Sequence, residues 1–100
     1  MVSAVIYSEQ ALTDLHDVTA FIAADNAEAA IRFANRLVDL AESLRHLPER
    51  GRPVKKWKGV RVIVLSPYLI FYRHEPATNQ VEVLRFWHGA RDPSTLEIRD

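Results

Sequence analysis

The first half of the chain combines a short apolar run with two stretches in which apolar residues recur every three or four positions. The run from Val2 to Tyr7 is rich in β-branched and aromatic residues, which favours a strand, and Ser8 directly after it can cap a helix. The apolar stripe of that helix consists of Leu12, Leu15, Thr19 and Ile22. The pattern therefore predicts a strand that leads into an amphipathic helix.

A second amphipathic helix follows after a short polar break. Asp25 and Glu28 stand three residues apart, which is the spacing of a capping box, and they mark its start. Its stripe runs through Ala30, Phe33, Ala34, Leu37, Leu40, Ala41 and Leu44. Because Pro48 disfavours helical geometry in the residue before it, the helix should end near Leu47. Two helices joined by so short a break predict an αα-hairpin.

Three strand-like runs fill most of the second half. They span Val60 to Leu65, Tyr68 to Glu75 and Val81 to Trp87, and turn residues separate them, which predicts an antiparallel meander. The predicted fold is α+β in the order βααβββ, with the helical hairpin packed on one face of a small antiparallel sheet and a single domain over residues 1–100. The polar stretch from Gly89 to Asp100 is compatible with either a short helix or a frayed tail.

Composition narrows the classes of protein to which this chain can belong. It contains no cysteine, which excludes a disulfide framework, a thiolate metal site and a Cys nucleophile. The four histidines have no metal-ligand spacing and there is no glycine-rich phosphate loop, so we expect neither a metal nor a cofactor. The N-terminus lacks the features of a signal peptide, and no apolar stretch is long enough to span a membrane. The expected location is the cytoplasm.

Positive charge is concentrated in one segment, although the formal net charge is zero. Residues 45–61 hold seven basic side chains against one acidic, whereas residues 1–44 hold two basic against seven acidic. Prolines and glycines indicate that this segment contains an exposed loop. We predict that the loop binds a macromolecular target through Arg50, Arg52, Lys55, Lys56, Trp57 and Lys58. A merely solvated loop is the simpler alternative.

Several short motifs carry a resemblance to a known family. The last strand runs into His88-Gly89-x-Arg91-Asp92, and the strand before it has the form Tyr68-x-Ile70-Phe71-Tyr72-Arg73. The helix exit Leu47-Pro48-x-x-Gly51 and the strand start Gly59-Val60-Arg61 extend the similarity over nearly the whole chain. In combination these motifs resemble the RelE/ParE toxin superfamily of type II toxin–antitoxin systems, and within it the ParE-like branch.

The resemblance implies a bacterial toxin that is neutralised by a cognate antitoxin protein, ParD-like or similar. RelE-like members cleave mRNA on the ribosome, whereas ParE-like members poison DNA gyrase and lack the nuclease residues. Where RelE-like enzymes carry an arginine on the middle strand, this chain has Leu69, and no aromatic residue follows Trp87 to supply their C-terminal tyrosine. The absence of these two nuclease residues favours the ParE-like branch, with no catalytic residues expected. The resemblance to that branch implies binding and poisoning of DNA gyrase as the activity.

Two alternatives remain open from the sequence. One is a RelE-like, metal-independent endoribonuclease whose residues would be Arg61, Arg73, His88 and Arg91. In that case Glu49 or Glu75 would partner His88 in proton transfer. The other is an inactive remnant that only binds its antitoxin. For His88 the simpler interpretation is that it fixes the end of its strand by hydrogen bonding.

The antitoxin is expected to bind beside the main helical stripes. The apolar residues that we place off those stripes, in a shallow groove for an amphipathic antitoxin helix, are Ala11, Val18, Phe21, Ala29 and Val38. An edge strand of the sheet, with unpaired amides and carbonyls, is a second place where such a partner can add. Outside the antitoxin complex, direct nucleic-acid binding is expected to be weak or absent because the chain has no wide positive surface.

Overall fold

The computed structural model describes residues 2–98 and consists of a five-stranded sheet packed against two helices. The strands are β1 (Ala4–Tyr7), β2 (Arg52–Pro53), β3 (Val60–Leu65), β4 (Tyr68–Glu75) and β5 (Gln80–His88). Helix α1 spans Glu9–Ala23 and α2 spans Ala27–Glu42, and 3₁₀ turns lie at Ser43–Arg45 and Pro93–Thr95. No helix in the described part of the chain is long and apolar enough to cross a membrane. The α+β class is confirmed.

The sheet is mixed rather than antiparallel throughout. Its strand order is β1-β5-β4-β3-β2, in which β3, β4 and β5 form the predicted meander and β2 is a short strand within the predicted loop. The prediction is wrong for β1, which runs parallel to β5. Parallel pairing requires a crossover connection, which here consists of the helical hairpin followed by β2, β3 and β4. Asn79 fixes β1 beside β5, because its side-chain oxygen accepts from Ser3 Oγ at 3.0 Å and its carbonyl from Ala4 N–H at 3.1 Å.

Polar side chains start both helices. Ser8 caps α1 as predicted, and its hydroxyl accepts a hydrogen bond from Ala11 N–H at 3.0 Å. The cap of α2 is Asn26, which accepts from Ala29 N–H at 3.0 Å. The predicted capping box that begins at Asp25 is therefore wrong by one residue, since an Asn side chain satisfies the same first-turn amide that an Asp would.

One face of the sheet packs against the helices and forms the larger core, which we call the helix-covered face. Leu37 of α2 and Leu44 of the 3₁₀ turn after it are fully buried there, as the predicted stripe requires. Helix α1 is rotated relative to the prediction: Asp14 is buried, while Leu12 of the predicted stripe is 54% exposed.

The rotation of α1 also changes the surroundings of two predicted antitoxin-binding residues. Ala11, which we expected beside the stripe, is fully buried in the core and offers no surface to a partner helix. Val18 is 7% exposed and lines a cleft together with Phe21 and His88. Residues at three- and four-residue steps from Ala11 then turn inward with it, so Asp14 and Val18 lie on the buried side.

The second face of the sheet has its own smaller core, made of Val60, Val62, Phe71, Leu84, Trp87 and Leu96. No helix covers it within residues 2–98; instead Val54 and Trp57 of the loop and Ile98 near the C-terminus pack against it. Of the two alternatives for the stretch after Gly89, the described residues agree with the short helix rather than the frayed tail, because a 3₁₀ helix spans Pro93–Thr95 and Leu96 is buried. Residues 99 and 100 of that prediction lie outside the described residues.

Candidate functional site

The basic loop is held to the sheet by a buried glycine contact. Gly51 N–H donates to the Tyr72 hydroxyl at 2.9 Å, and a Cβ added to Gly51 would lie 2.7 Å from that oxygen. Burial raises the pKa of the Tyr72 hydroxyl. Arg61 donates to the carbonyls of Glu49 and Gly51 at 3.2 and 2.7 Å. The motif Leu47-Pro48-x-x-Gly51 therefore anchors the start of the loop, and only a residue without a side chain fits at its last position.

The loop turns back on itself over the second face of the sheet. Val54 N–H donates to the Val60 carbonyl at 2.8 Å, and Val60 N–H donates to the Trp57 carbonyl at 3.1 Å. Gly59 has a φ of +80°, in the left-handed region that favours glycine. This geometry lays the Trp57 ring edge-on against Phe71, with 6.2 Å between ring centroids.

A cleft of about 310 Å³ opens between this loop and the C-terminal segment, and we call it the second-face cleft. Its floor is apolar and includes Val62, Leu69 and Phe71, while Pro93 and Leu96 form the far wall. Arg52 and Lys56 line its near side, and the Lys56 ammonium lies 4.8 Å from the centroid of the Trp57 ring. An apolar floor beside cations is the arrangement of a recognition surface.

The structure divides the predicted target-binding residues. Arg52, Lys56 and Trp57 line the second-face cleft, and exposed Lys55 and Lys58 are their neighbours in the loop. Arg50 instead donates to Ser43 Oγ at 3.0 Å, which directs it toward the end of α2. Five of the six predicted residues thus belong to one stretch of loop beside the cleft, and Arg50 does not.

The residues of the nuclease alternative do not converge on one point. Arg61 is opposite Tyr72 and lies on the helix-covered face. Arg73 follows Tyr72 directly, so it points to the second face. His88 is opposite Tyr68 at the other end of β4. At about 3.3 Å per residue, the strand length between Tyr68 and Arg73 is roughly 17 Å, and one scissile phosphate cannot lie beside all of these side chains.

His88 and Arg91 make local contacts at the end of β5. The Nδ1 atom of His88 accepts from Ala90 N–H at 3.0 Å, and its ring packs edge-on against Tyr68 with 5.0 Å between centroids. Burial raises the pKa of the Tyr68 hydroxyl. The Arg91 guanidinium stacks on Trp87, 4.0 Å from the ring centroid. These contacts agree with His88 as a residue that fixes the strand end.

The carboxylates suggested as partners of His88 lie elsewhere. Glu75 is opposite Gln80, at the end of β4 that is remote from His88. Glu49 precedes the loop, and its carbonyl accepts from Arg61 on the far side of the meander. Neither carboxylate is therefore placed to share a proton with His88.

A buried ion pair between α1 and β5 was missed from the sequence. Arg85 Nε and Nη2 donate to the Asp14 carboxylate at 2.7 and 3.1 Å, and Phe86 N–H donates to it at 3.1 Å. Arg85 Nη1 also donates to the Glu97 carbonyl at 2.8 Å, so the pair ties the C-terminal segment to α1. The available signal was the spacing of Asp14 between Ala11 and Val18, which places a carboxylate on an otherwise apolar face.

The remaining antitoxin-binding candidates lie on different surfaces. Phe21 is 77% exposed at the end of α1, and it lines an open cleft together with Ala29 at the start of α2. Val38 is half-buried and stands nine residues after Ala29. At about 100° per residue, that places the two on opposite flanks of α2. Phe21 and Ala29 can therefore share one partner helix, whereas Val38 belongs to another flank.

Solved structures assign the fold to a class of proteins. The chromosomal ParDE toxin–antitoxin system from P. aeruginosa contains a chain that matches with a TM-score of 0.75 and 20% identity, over 87% of this chain and 96% of that one. The toxin–antitoxin complex RelBE2 from Mycobacterium tuberculosis matches with a TM-score of 0.69 and 23% identity, over 88% and 99% of the two chains. The fold is that of the RelE/ParE toxins.

Sequence comparison then identifies the family. The family model described as the ParE toxin of the type II toxin–antitoxin system, parDE, matches residues 5–93. Toxin RelE2 of Caulobacter vibrioides is 36% identical over 87 residues, which are 87% of this chain and 96% of that protein. The chain belongs to the ParE toxin family of type II toxin–antitoxin systems. The predicted membership of the RelE/ParE superfamily is confirmed.

Proposed function

We propose that this toxin acts in the cytoplasm by binding and poisoning DNA gyrase, and that a cognate antitoxin neutralises it. The observation that carries the proposal is the apolar second-face cleft. By resemblance, Leu69 stands where RelE-like nucleases hold an arginine, and it lies on the cleft floor. A protein partner could bury apolar side chains on this floor and place acidic side chains beside Arg52 and Lys56. Cleavage of RNA would instead require several cations that converge on one scissile phosphate.

The experiment is a parallel assay of the purified chain on two targets. In a gyrase supercoiling reaction we expect loss of supercoiling that depends on toxin concentration and is reversed by the antitoxin. On translating ribosomes we expect no codon-dependent mRNA cleavage. Cleavage that His88→Ala or Arg91→Ala abolishes would establish the nuclease instead. Inactivity in both assays, with antitoxin binding retained, would identify an inactive remnant.

One observation favours the nuclease as a second candidate. His88, Arg91, Tyr68 and Asp17 line a common cleft of about 340 Å³ between α1 and the end of β5. These are groups that can move protons and stabilise negative charge. In this candidate the proton-transfer carboxylate is Asp17 rather than Glu49 or Glu75, because Asp17 lines the cleft with His88. Asp14 lines it too, but its carboxylate is paired with Arg85. Asp17→Asn should then abolish mRNA cleavage, while leaving any effect on gyrase unchanged.

The antitoxin-binding surface is the cleft at Phe21 and Ala29. Phe21→Glu places a charge where a partner helix would bury an aromatic ring, and we expect antitoxin affinity to fall at least about tenfold. Val38→Glu is the matched control, because Val38 lies on the opposite flank of α2. Titration with the labelled antitoxin measures both variants, and circular dichroism verifies that each is folded. Equal weakening by the two changes would contradict this placement.

A further inference from the structure

We infer that the second-face cleft binds an acidic peptide segment that carries a large apolar side chain. The inference rests on the proposed function because we assign the acidic segment to the protein that the toxin targets. The shape, the rim charges and the aromatic contacts of the cleft each support it.

The shape of the cleft suits one or two apolar side chains. Its volume of about 310 Å³ lies at the small end of the range that is typical of ligand pockets. Leu69 is half-buried on the floor, and buried Val62, Phe71 and Leu96 line the same cleft. An inserted side chain would complete a surface that the loop and the C-terminal segment leave partly open.

The charge around the cleft selects an acidic occupant. Arg52 and Lys56 line the cleft, and Lys55 and Lys58 are exposed in the same loop. None of the salt bridges that the structure shows involves these four side chains. Carboxylates that flank the inserted side chain would meet these cations at the rim, where they act mainly on association rate and register.

The aromatic rings beside the cleft favour a peptide over a nucleic acid. Sequence-tolerant binding of single strands depends on aromatic faces on which bases can stack. On this face, the Trp57 ring is nearly perpendicular to the Phe71 ring and has the Lys56 ammonium 4.8 Å from its centroid. The Trp87 ring has the Arg91 guanidinium 4.0 Å from its centroid. A base would have to displace cations that already occupy these rings, whereas an aliphatic or aromatic peptide side chain needs only the apolar floor.

The test is direct binding of synthetic probes to the purified chain. The main probe is a fluorescein-labelled peptide with glutamates on both sides of a Leu-Phe pair. Its controls are a peptide with glutamine in place of glutamate, a peptide with serine in place of the Leu-Phe pair, and a single-stranded oligonucleotide of equal charge. We expect saturable binding of the main peptide, at least about tenfold weaker binding of the first two controls, and weaker binding again at higher salt.

Variants locate the binding site on the chain. Arg52→Glu combined with Lys56→Glu, and separately Leu69→Arg, should each reduce affinity for the main peptide by at least about tenfold. Arg36→Glu, an exposed cation on the helix side, should leave it unchanged. If a variant fails to fold, the binding site can still be located by amide chemical-shift mapping of the unchanged chain with the main peptide. We expect the peptide-induced shift changes to cluster at Val54, Trp57 and Leu69. Shifts confined to the helices, or unchanged binding by the folded variants, would overturn the inference.

The probes also separate this inference from the proposed function. If the chain binds the main peptide but does not affect supercoiling, the acidic-peptide site is supported and gyrase is excluded as the target. Loss of supercoiling without peptide binding would retain gyrase and overturn the site. Tighter binding of the oligonucleotide than of the peptide would overturn the peptide inference in favour of a nucleic-acid surface.

Discussion

The two faces of the sheet are built from the same strands but are closed in different ways. On the helix-covered face, α1 and α2 lay a continuous apolar stripe over the strands and bury Leu37, Leu44 and Tyr72 completely. On the second face, a loop and a short C-terminal segment cover the strands only in part and leave a cleft. The first arrangement favours stability, and the second keeps apolar surface available for a partner.

The aromatic residues are also divided between the two faces. All three tyrosines pack with the helix-covered core, whereas both tryptophans belong to the second-face cluster. Tryptophan fluorescence therefore reports on the second face, while far-ultraviolet circular dichroism reports mainly on the helices. This division allows the two faces to be followed separately in one unfolding experiment.

The largest expected effect on stability comes from removing the buried ion pair between Asp14 and Arg85. Asp14→Ala leaves Arg85 buried without its carboxylate and removes the acceptor of Phe86 N–H. We expect a loss of about 3–5 kcal/mol in the free energy of unfolding, measured by urea denaturation. Asp17→Ala is the control, because it removes an exposed carboxylate from the same helix and should cost less than about 0.5 kcal/mol. Similar losses for both would contradict the structural role of the pair.

An intermediate effect should distinguish the two cores. Leu44→Ala creates a cavity under the helices, and we expect it to cost about 3 kcal/mol. Leu96→Ala should cost about 2 kcal/mol, because the short segment around it can collapse into the vacated space. In the Leu96→Ala variant, tryptophan emission should shift to longer wavelength while the helical circular dichroism signal is unchanged. A larger loss of unfolding free energy for Leu96→Ala than for Leu44→Ala would contradict the expectation that the helix-covered core contributes more to stability.

The smallest effect concerns alkaline pH and the helix-covered face. Burial raises the pKa of Tyr7, Tyr68 and Tyr72 above the ordinary value of 10.0. A raised pKa in the folded state means that stability is unchanged below pH 10 and falls as the pH rises above it. Urea unfolding across this range should show that decline. Tyr72→Phe should make the decline shallower, and a stability that rises above pH 10 would contradict the assignment.

The elements that depend on local patterns can be predicted from the amino-acid sequence. The αα-hairpin and the meander of β3, β4 and β5 follow from apolar periodicity and turn residues, which act over a few positions. Ser8 is predictable as a helix cap because the amide that its hydroxyl satisfies, Ala11 N–H, is only three residues away. The family resemblance was equally readable, since its motifs are short and contiguous. The basic loop was visible as a charge pattern, although its position over the second face was not.

Contacts between residues that are far apart in the chain become visible only in the folded structure. Asp14 and Arg85 are separated by 71 positions, and no local pattern specifies that they pair in the core. Their contact lies on the side of α1 that faces the sheet, where Val18 is buried, while Leu12 on another side is exposed. The parallel pairing of β1 with β5 likewise joins distant positions, since Ala4 is opposite Gln80 and Asn79 accepts from Ser3 and Ala4. Pairing and rotation are selected by the free energy of the whole packed chain, whereas helices and turns are selected by neighbours a few residues apart.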